Sequence, residues 1–91
     1  MTATLNLIIH ITSANPETLR DKLRENDNFK NYYDGWECTV CKTTQRVLST
    51  RYYYYDIPHD ILGEMIRHLQ INKEGHTVRT RITQDGNHKF D

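Results

Sequence analysis

The chain has 91 residues, of which 12 are basic and 12 acidic, so its formal net charge at pH 7 is zero. This length predicts a single domain spanning residues 1–91, with an ordered core at about 4–83 and a frayed tail at 84–91. Because bulk binding of duplex DNA requires a strongly basic domain, the balanced charge argues against that class of protein.

The N-terminal segment has the alternating pattern of a half-buried strand. One side carries Leu5, Leu7, Ile9 and Ile11, and the other carries Asn6, Ile8 and His10. The apolar run is too short for a membrane span, and no cationic leader precedes it, so we expect neither a transmembrane helix nor a signal peptide. With only two cysteines in the chain, we expect a cytoplasmic location.

The next segment, residues 13–26, predicts a helix. Asn15 suits the N-cap position and Pro16 suits the first helical position. Leu19 and Leu23 lie four residues apart and form a narrow apolar stripe. Residues 27–35 then predict a loop that ends in the turn-forming pair Asp-Gly.

The second half of the chain predicts two strands, a helix and a last strand. The strands are placed at residues 36–42, at Gln45 to Tyr55 and at residues 76–83, and the second helix begins near Pro58. The order β-α-β-β-α-β predicts an α+β fold of the ferredoxin-like type. In that fold two helices cover one face of a four-stranded antiparallel sheet, strands one and three are central, and the other face is open.

The most distinctive stretch is the run of an arginine and four tyrosines at residues 51–55. Alternate side chains of a strand point to opposite faces, so the run must divide. Burying an unpaired arginine is costly, and Arg51 is therefore expected on the open face with Tyr53 and Tyr55. Tyr52 and Tyr54 are then expected beneath the helices.

The open face assembled in this way is the predicted binding site. It contains Arg51, Tyr53, Tyr55, His10, Ile8, Arg79 and Arg81. Tyrosine and arginine are enriched at interface hot spots, which favours a surface that binds a partner. The alternative is that these residues form ordinary cross-strand pairs on a solvated sheet.

The third strand resembles that of the RNA-recognition motif family. That family places a basic residue and two base-stacking aromatics at alternate positions, which here match Arg51, Tyr53 and Tyr55. The resemblance in element order extends over nearly the whole chain and implies binding of single-stranded RNA. The chain differs from the family at Tyr52 and Tyr54, where small residues are usual, and its first strand lacks an aromatic residue.

The leading functional prediction is a non-enzymatic inhibitor or adaptor that covers a protein or ribonucleoprotein surface. The small size and the lack of a catalytic motif are similar to those of phage-encoded inhibitors of host defence, including anti-CRISPR proteins. Single-stranded RNA binding is the alternative, and a homodimer through the open face is a further use of the same surface.

Catalytic and metal chemistry are not predicted. Cys38 and Cys41 have a spacing found in zinc and redox sites, but no second ligand pair follows, and a strand separates their side chains. His10, Asp56, His59 and Asp60 lack a positioned nucleophile or a glycine-rich phosphate loop. We therefore expect no catalytic residue, no metal and no cofactor, and one buried and one exposed thiol.

Overall fold

The computed structural model describes residues 4–13 and 15–84. The tail that we predict to be frayed therefore lies outside the described residues, apart from Gln84. The elements are β1 (Thr4–Ile11), α1 (Pro16–Leu23), α2 (Asn28–Asn31), β2 (Tyr33–Val40), β3 (Val47–Pro58), α3 (His59–Asn72) and β4 (Val78–Thr83).

The four strands form one antiparallel sheet in the order β2-β3-β1-β4. This confirms the α+β class and the central position of β1 and β3. In the register between these two strands, Ile8 lies opposite Tyr53 and His10 lies opposite Arg51. The two longest runs of apolar and aromatic residues are thus side by side in the middle of the sheet.

The hydrophobic core lies between the helices and one side of the sheet, which we call the helix-covered face. Its buried members are Leu5, Leu7, Ile9, Ile11, Leu19, Leu23, Phe29, Tyr52, Tyr54, Ile57, Leu62, Met65 and Leu69. Burial of each large apolar side chain contributes about 1.5–3 kcal/mol before the entropy of ordering it is subtracted. The opposite side of the sheet, which we call the open face, is not covered by these helices.

The predicted loop at residues 27–35 is wrong in two respects. It contains the one-turn helix α2, and β2 begins at Tyr33, so the Asp-Gly pair predicted as a turn lies within a strand. Phe29 of α2 is 2% exposed and packs edge-on against Tyr54, with ring centroids 5.5 Å apart. The side chain of Asn26 accepts a hydrogen bond of 2.9 Å from the backbone N–H at the start of α2. This Asx-type turn separates α1 from α2 and lies just before Phe29, which enters the core.

A bulge interrupts the pairing of β1 with β3 just beyond the tyrosine run. Asp56 has a positive φ of 57°, and its backbone N–H donates to Oδ1 of Asn6 over 3.1 Å. The extra residue shifts the alternation, so Ile57 is buried although it lies three residues after Tyr54. Because the bulge follows Tyr55, it leaves the arrangement of the four tyrosines intact.

Strand β1 is buried on both faces, so the prediction of a half-buried strand is wrong. On the open face, Ile8 is 6% exposed and Asn6 is 1% exposed. The cross-strand neighbours of Ile8 are Tyr53 and Arg81, whose long side chains flank it. A central strand between two strands of long side chains can thus be covered without a second layer of helices.

Strand β2, by contrast, is largely exposed at the edge of the sheet. Trp36 lies opposite Tyr52 but remains 59% exposed, because α3 packs over β1 and β3. Cys38 is exposed and Cys41 is half-buried, so the expected buried thiol is absent from this edge.

Candidate functional site

The four tyrosines of β3 divide between the two faces as predicted. Tyr52 and Tyr54 are 4% and 3% exposed within the core, whereas Tyr53 and Tyr55 are half-buried, as is Arg51. Desolvation raises the pKa of both outward phenols. At neutral pH all four rings therefore carry protonated hydroxyl groups.

The open face is concave at its centre, with a depression of about 480 Å³ that we call the basic depression. It contains six of the seven predicted binding residues, namely Ile8, His10, Arg51, Tyr53, Arg79 and Arg81. The seventh, Tyr55, is not part of its lining and lies further along β3 near the bulge. The strand register thus brings together residues that are up to 73 positions apart in the numbering from Ile8 to Arg81.

Two rows of cross-strand neighbours form the floor and sides of the basic depression. The first row runs across the sheet as Arg79, His10, Arg51 and Glu37. The second runs as Arg81, Ile8, Tyr53 and Gly35. Since Gly35 has no side chain, nothing covers the β2 end of the second row, next to Tyr53.

Glu37 is a member of the site that is not among the predicted binding residues. Its Oε1 accepts a hydrogen bond from the Tyr53 hydroxyl and lies 3.8 Å from Nη1 of Arg51. Burial and this hydrogen bond raise the pKa of Tyr53 to about 12. Tyr53 and Arg51 thus both contact the same carboxylate. The alternation of side chains in β2 indicates that Glu37 lies on the open face. Its contacts with Tyr53 and Arg51 depend on the register between β2 and β3.

The basic depression has an excess of positive charge. It contains three guanidinium groups and one carboxylate. Arg79 and Arg81 are exposed, and neither forms an ion pair with any residue in 4–13 or 15–84. Planar guanidinium groups bind carboxylates and phosphates through paired hydrogen bonds, so the geometry suits an anionic group.

His10 supplies a polar atom at the floor that is shielded from solvent. Its Nε2 is buried and has no hydrogen-bond partner among the described residues. Desolvation, followed by the charges of Arg51 and Arg79, lowers the pKa of His10. The imidazole is therefore neutral at pH 7, with one ring nitrogen able to donate and the other able to accept.

A serine and a histidine contact each other elsewhere in the fold. Ser13 Oγ lies 2.6 Å from Nδ1 of His76, and Thr18 Oγ1 lies 3.2 Å from its Nε2. A catalytic pair of this type needs a third group, usually a carboxylate, to orient the imidazole. In this protein the second ring nitrogen of His76 lies against the hydroxyl group of Thr18. The cluster ties the loop after β1 to the loop before β4.

Cys38 and Cys41 lie at the end of β2 and just beyond it. Across the part of the chain that the structure describes, no three His, Cys, Asp or Glu side chains are grouped to hold a metal ion. A hydrogen bond with the Thr44 side chain lowers the pKa of the Cys41 thiol, with backbone N–H groups adding to the effect. Both cysteines are free thiols.

A second exposed surface lies on the helix-covered face, at the β2 edge where the helices do not reach. It exposes 59% of Trp36 and 44% of Val47, which lie near Glu17, Arg20 and Tyr52. Single exposed apolar residues are common on protein surfaces, and this group has no cluster of charged side chains beside it comparable to the basic depression. It provides a useful contrast to the open face.

Comparisons with known proteins assign no family to the chain. No protein-family model matches it, and no curated protein matches it. Among the described helices, none has the length and apolar character that a bilayer span requires.

Proposed function

We propose that this protein is a non-enzymatic binding protein, a small inhibitor or adaptor that covers part of a protein or ribonucleoprotein partner through its open face. The observation that carries the proposal is the basic depression, in which Arg51, Arg79 and Arg81 surround Ile8 and Tyr53. Arginine and tyrosine are the residue types most enriched among the side chains that dominate binding energy.

Preorganisation supports the same proposal. The Tyr53 hydroxyl and the Arg51 guanidinium both contact Glu37, so two of the binding side chains are oriented before a partner arrives. Ordering a long side chain on association costs about 0.5–1.5 kcal/mol, and a side chain that is already oriented avoids part of this cost.

We also propose that the fold is of the ferredoxin-like type. The strand order and the central position of β1 and β3 support a ferredoxin-like arrangement, with α2 as an addition between α1 and β2. The size, balanced charge and binding surface are in keeping with an anti-CRISPR-type inhibitor encoded by a phage. Such a protein would act in the cytoplasm of the host cell.

Single-stranded RNA binding is the second candidate, and one observation favours it. Arg51, Tyr53 and Tyr55 stand on the open side of a central strand, as in the RNA-recognition motif family. Two observations weigh against it. The carboxylate of Glu37 lies beside the Tyr53 ring, and the open-face positions of β2 supply no cation to extend a path for the phosphate backbone.

A steric block on the open face tests the proposal. A Cβ at Gly35 would meet no atom within 4 Å, so Gly35→Gln adds a side chain beside Tyr53 without a clash inside the chain. Gly63 in α3 is exposed and has the same free space, so Gly63→Gln is the matched control. Each variant replaces a glycine within a regular element, which is not expected to destabilise the fold.

The measurement is capture of partner proteins from a lysate of the cell in which the gene is expressed. We expect Gly35→Gln to lose a partner that the unmodified chain and Gly63→Gln both retain. Equal recovery by all three chains contradicts docking through the open face. A labelled single-stranded RNA tested in parallel, with binding that weakens as salt rises, would favour the second candidate instead.

Self-association must be measured on the same samples. Light scattering over a dilution series gives the mass of each chain in solution. A dimer that Gly35→Gln dissociates and Gly63→Gln preserves would show that the open face binds a second copy of the chain, which contradicts a foreign partner as its main occupant.

A further inference from the structure

We propose that the basic depression receives a carboxylate from an acidic segment of the partner protein. This inference rests on the proposed function, because it names the chemistry that the same open face recognises. The acidic side chain would lie above Ile8 and His10 of β1, with Arg79 and Arg81 of β4 on one side and Arg51 of β3 on the other.

The free cations are the first support for a carboxylate. Arg79 and Arg81 are exposed at alternate positions of β4 and have no ion-pair partner in the described ranges. Two guanidinium groups on one side of a depression repel each other unless an anion lies between them. Charge complementarity therefore indicates an acidic occupant.

The chain itself already places a carboxylate in this environment. Glu37 accepts the Tyr53 hydroxyl and lies 3.8 Å from Arg51, on the opposite side of the depression from β4. Arg79 and Arg81, on the other side, have no acidic partner within residues 4–13 and 15–84. A carboxylate from a partner can therefore take a place there like the one that Glu37 takes beside Arg51.

The floor of the depression supplies a further observation. Nε2 of His10 is buried and lacks a hydrogen-bond partner within residues 4–13 and 15–84. An unsatisfied polar atom below two arginines is costly in the free chain. In the tautomer that carries its proton on Nε2, the ring would donate to a carboxylate seated above it, which would relieve that cost. The negative charge would also offset the arginines that disfavour protonation of the ring.

Size and charge distribution favour a protein segment over a nucleic acid. The depression, at about 480 Å³, has room for several side chains rather than a single small ion. The neighbouring open-face positions of β2 are Gly35, Glu37 and Thr39, so the positive charge ends at β3. A phosphate backbone requires a longer cationic path, whereas an acidic loop requires only one local cluster.

A titration of the complete isotope-labelled chain tests the inference by NMR. The probe is a hexaglutamate peptide with blocked ends, and a hexaglutamine peptide of the same length is the uncharged control. We expect hexaglutamate to give saturable shifts at open-face positions of β1, β3 and β4, and hexaglutamine to give none. It should also raise the pKa of His10, because a nearby negative charge favours the imidazolium.

Matched variants identify the residues responsible. Arg79→Gln and Arg81→Gln, separately and together, should weaken hexaglutamate binding, by roughly tenfold or more in the double variant. Arg67 is exposed on α3, away from the open face, and Arg67→Gln should leave the affinity unchanged. No saturable shift with hexaglutamate, or equal weakening by Arg67→Gln, overturns the inference.

Two other anions distinguish the sources of negative charge. Inorganic phosphate or an eight-residue oligouridylate that saturates the same positions more tightly than hexaglutamate would overturn the assignment to a carboxylate.

The inference and the proposed function fail separately. If Gly35→Gln loses the partner while hexaglutamate does not bind, the docking face stands and only the acidic occupant is wrong. If Gly35→Gln keeps the partner, docking through the open face is wrong.

Discussion

The two sides of β3 present the same residue type to different surroundings. On the helix-covered face, Tyr54 packs edge-on against Phe29 and Tyr33, with centroid distances of 5.5 and 5.8 Å. On the open face, Tyr53 instead directs its hydroxyl to Glu37 and lies beside Arg51. The role of each tyrosine is thus determined by the face to which its strand position directs it, and one residue type serves both the core and the surface.

The largest expected difference between the two sides is in stability. Tyr54→Ala removes a ring that is 3% exposed and leaves a cavity among buried neighbours, so we expect a loss of about 3–5 kcal/mol in the free energy of unfolding. Urea denaturation followed by circular dichroism measures this loss. If the alanine variant does not fold, Tyr54→Leu gives a smaller but measurable decrease. A loss below about 1 kcal/mol would show that the ring is not part of the core.

Tyr53→Ala should have a smaller effect on stability than on binding. The ring is half-buried and its contacts are cross-strand neighbours, which contribute about 0.2–1 kcal/mol per pair. Urea denaturation should therefore show a decrease of about 1 kcal/mol, while partner capture falls. Tyr53→Phe keeps the ring and removes only the hydrogen bond to Glu37. If Tyr53→Ala destabilises the chain as much as Tyr54→Ala, the contrast between the two sides is lost.

A pH dependence from His10 should be smaller still. Desolvation and the charges of Arg51 and Arg79 lower its folded pKa below the ordinary value of 6.5, while Glu37 on β2 is the acidic group in the same row. The unfolded chain then binds more protons near and below pH 6.5, so the stability contribution is full above that pH and is lost as the pH falls.

Urea denaturation between pH 7.5 and 5.5 measures this effect. Wild type should lose more stability on acidification than His10→Gln, whose side chain does not titrate. Parallel pH dependence of the two chains would show that His10 is not desolvated on the open face.

The smallest expected effect concerns the surface pair of Glu37 and Arg51. The two groups are partly exposed and 3.8 Å apart, so Glu37→Gln should change the free energy of unfolding by less than about 0.5 kcal/mol. The same substitution should lower the pKa of Tyr53 from about 12, because it removes the negative charge that accepts a hydrogen bond from the phenol and disfavours its ionisation. Ultraviolet titration of the tyrosines measures this shift, with Tyr53→Phe identifying the signal. An unchanged titration would contradict the contact.

Local pattern was sufficient to predict the arrangement of the tyrosines. Alternation together with the cost of burying Arg51 placed Tyr53 and Tyr55 outward, and burial of Tyr52 and Tyr54 confirms the inward half of that prediction. It succeeded because β3 stays regular from Ser49 to Tyr55, between a register shift at Leu48 and the bulge at Asp56.

Features that depend on neighbouring elements could not be predicted in the same way. Phe29 lies in a polar stretch, so nothing periodic indicated that a single helical turn would bury it against Tyr54. Ile8 is covered by side chains from two other strands, and Glu37 meets Tyr53 only through the register of β2 with β3. These contacts are non-local, and the sequence pattern of one strand does not contain the register of its partners.

Hydroxyl-radical footprinting of the free chain and of its partner complex, resolved for each tyrosine by mass spectrometry, tests the central claim most directly. We expect Tyr53 and Tyr55 to react faster than Tyr52 and Tyr54 in the free chain, and to become protected when the partner binds. Exposed Trp36 at the β2 edge should keep its reactivity in the complex. Protection of Trp36 while Tyr53 and Tyr55 remain reactive would contradict docking through the open face.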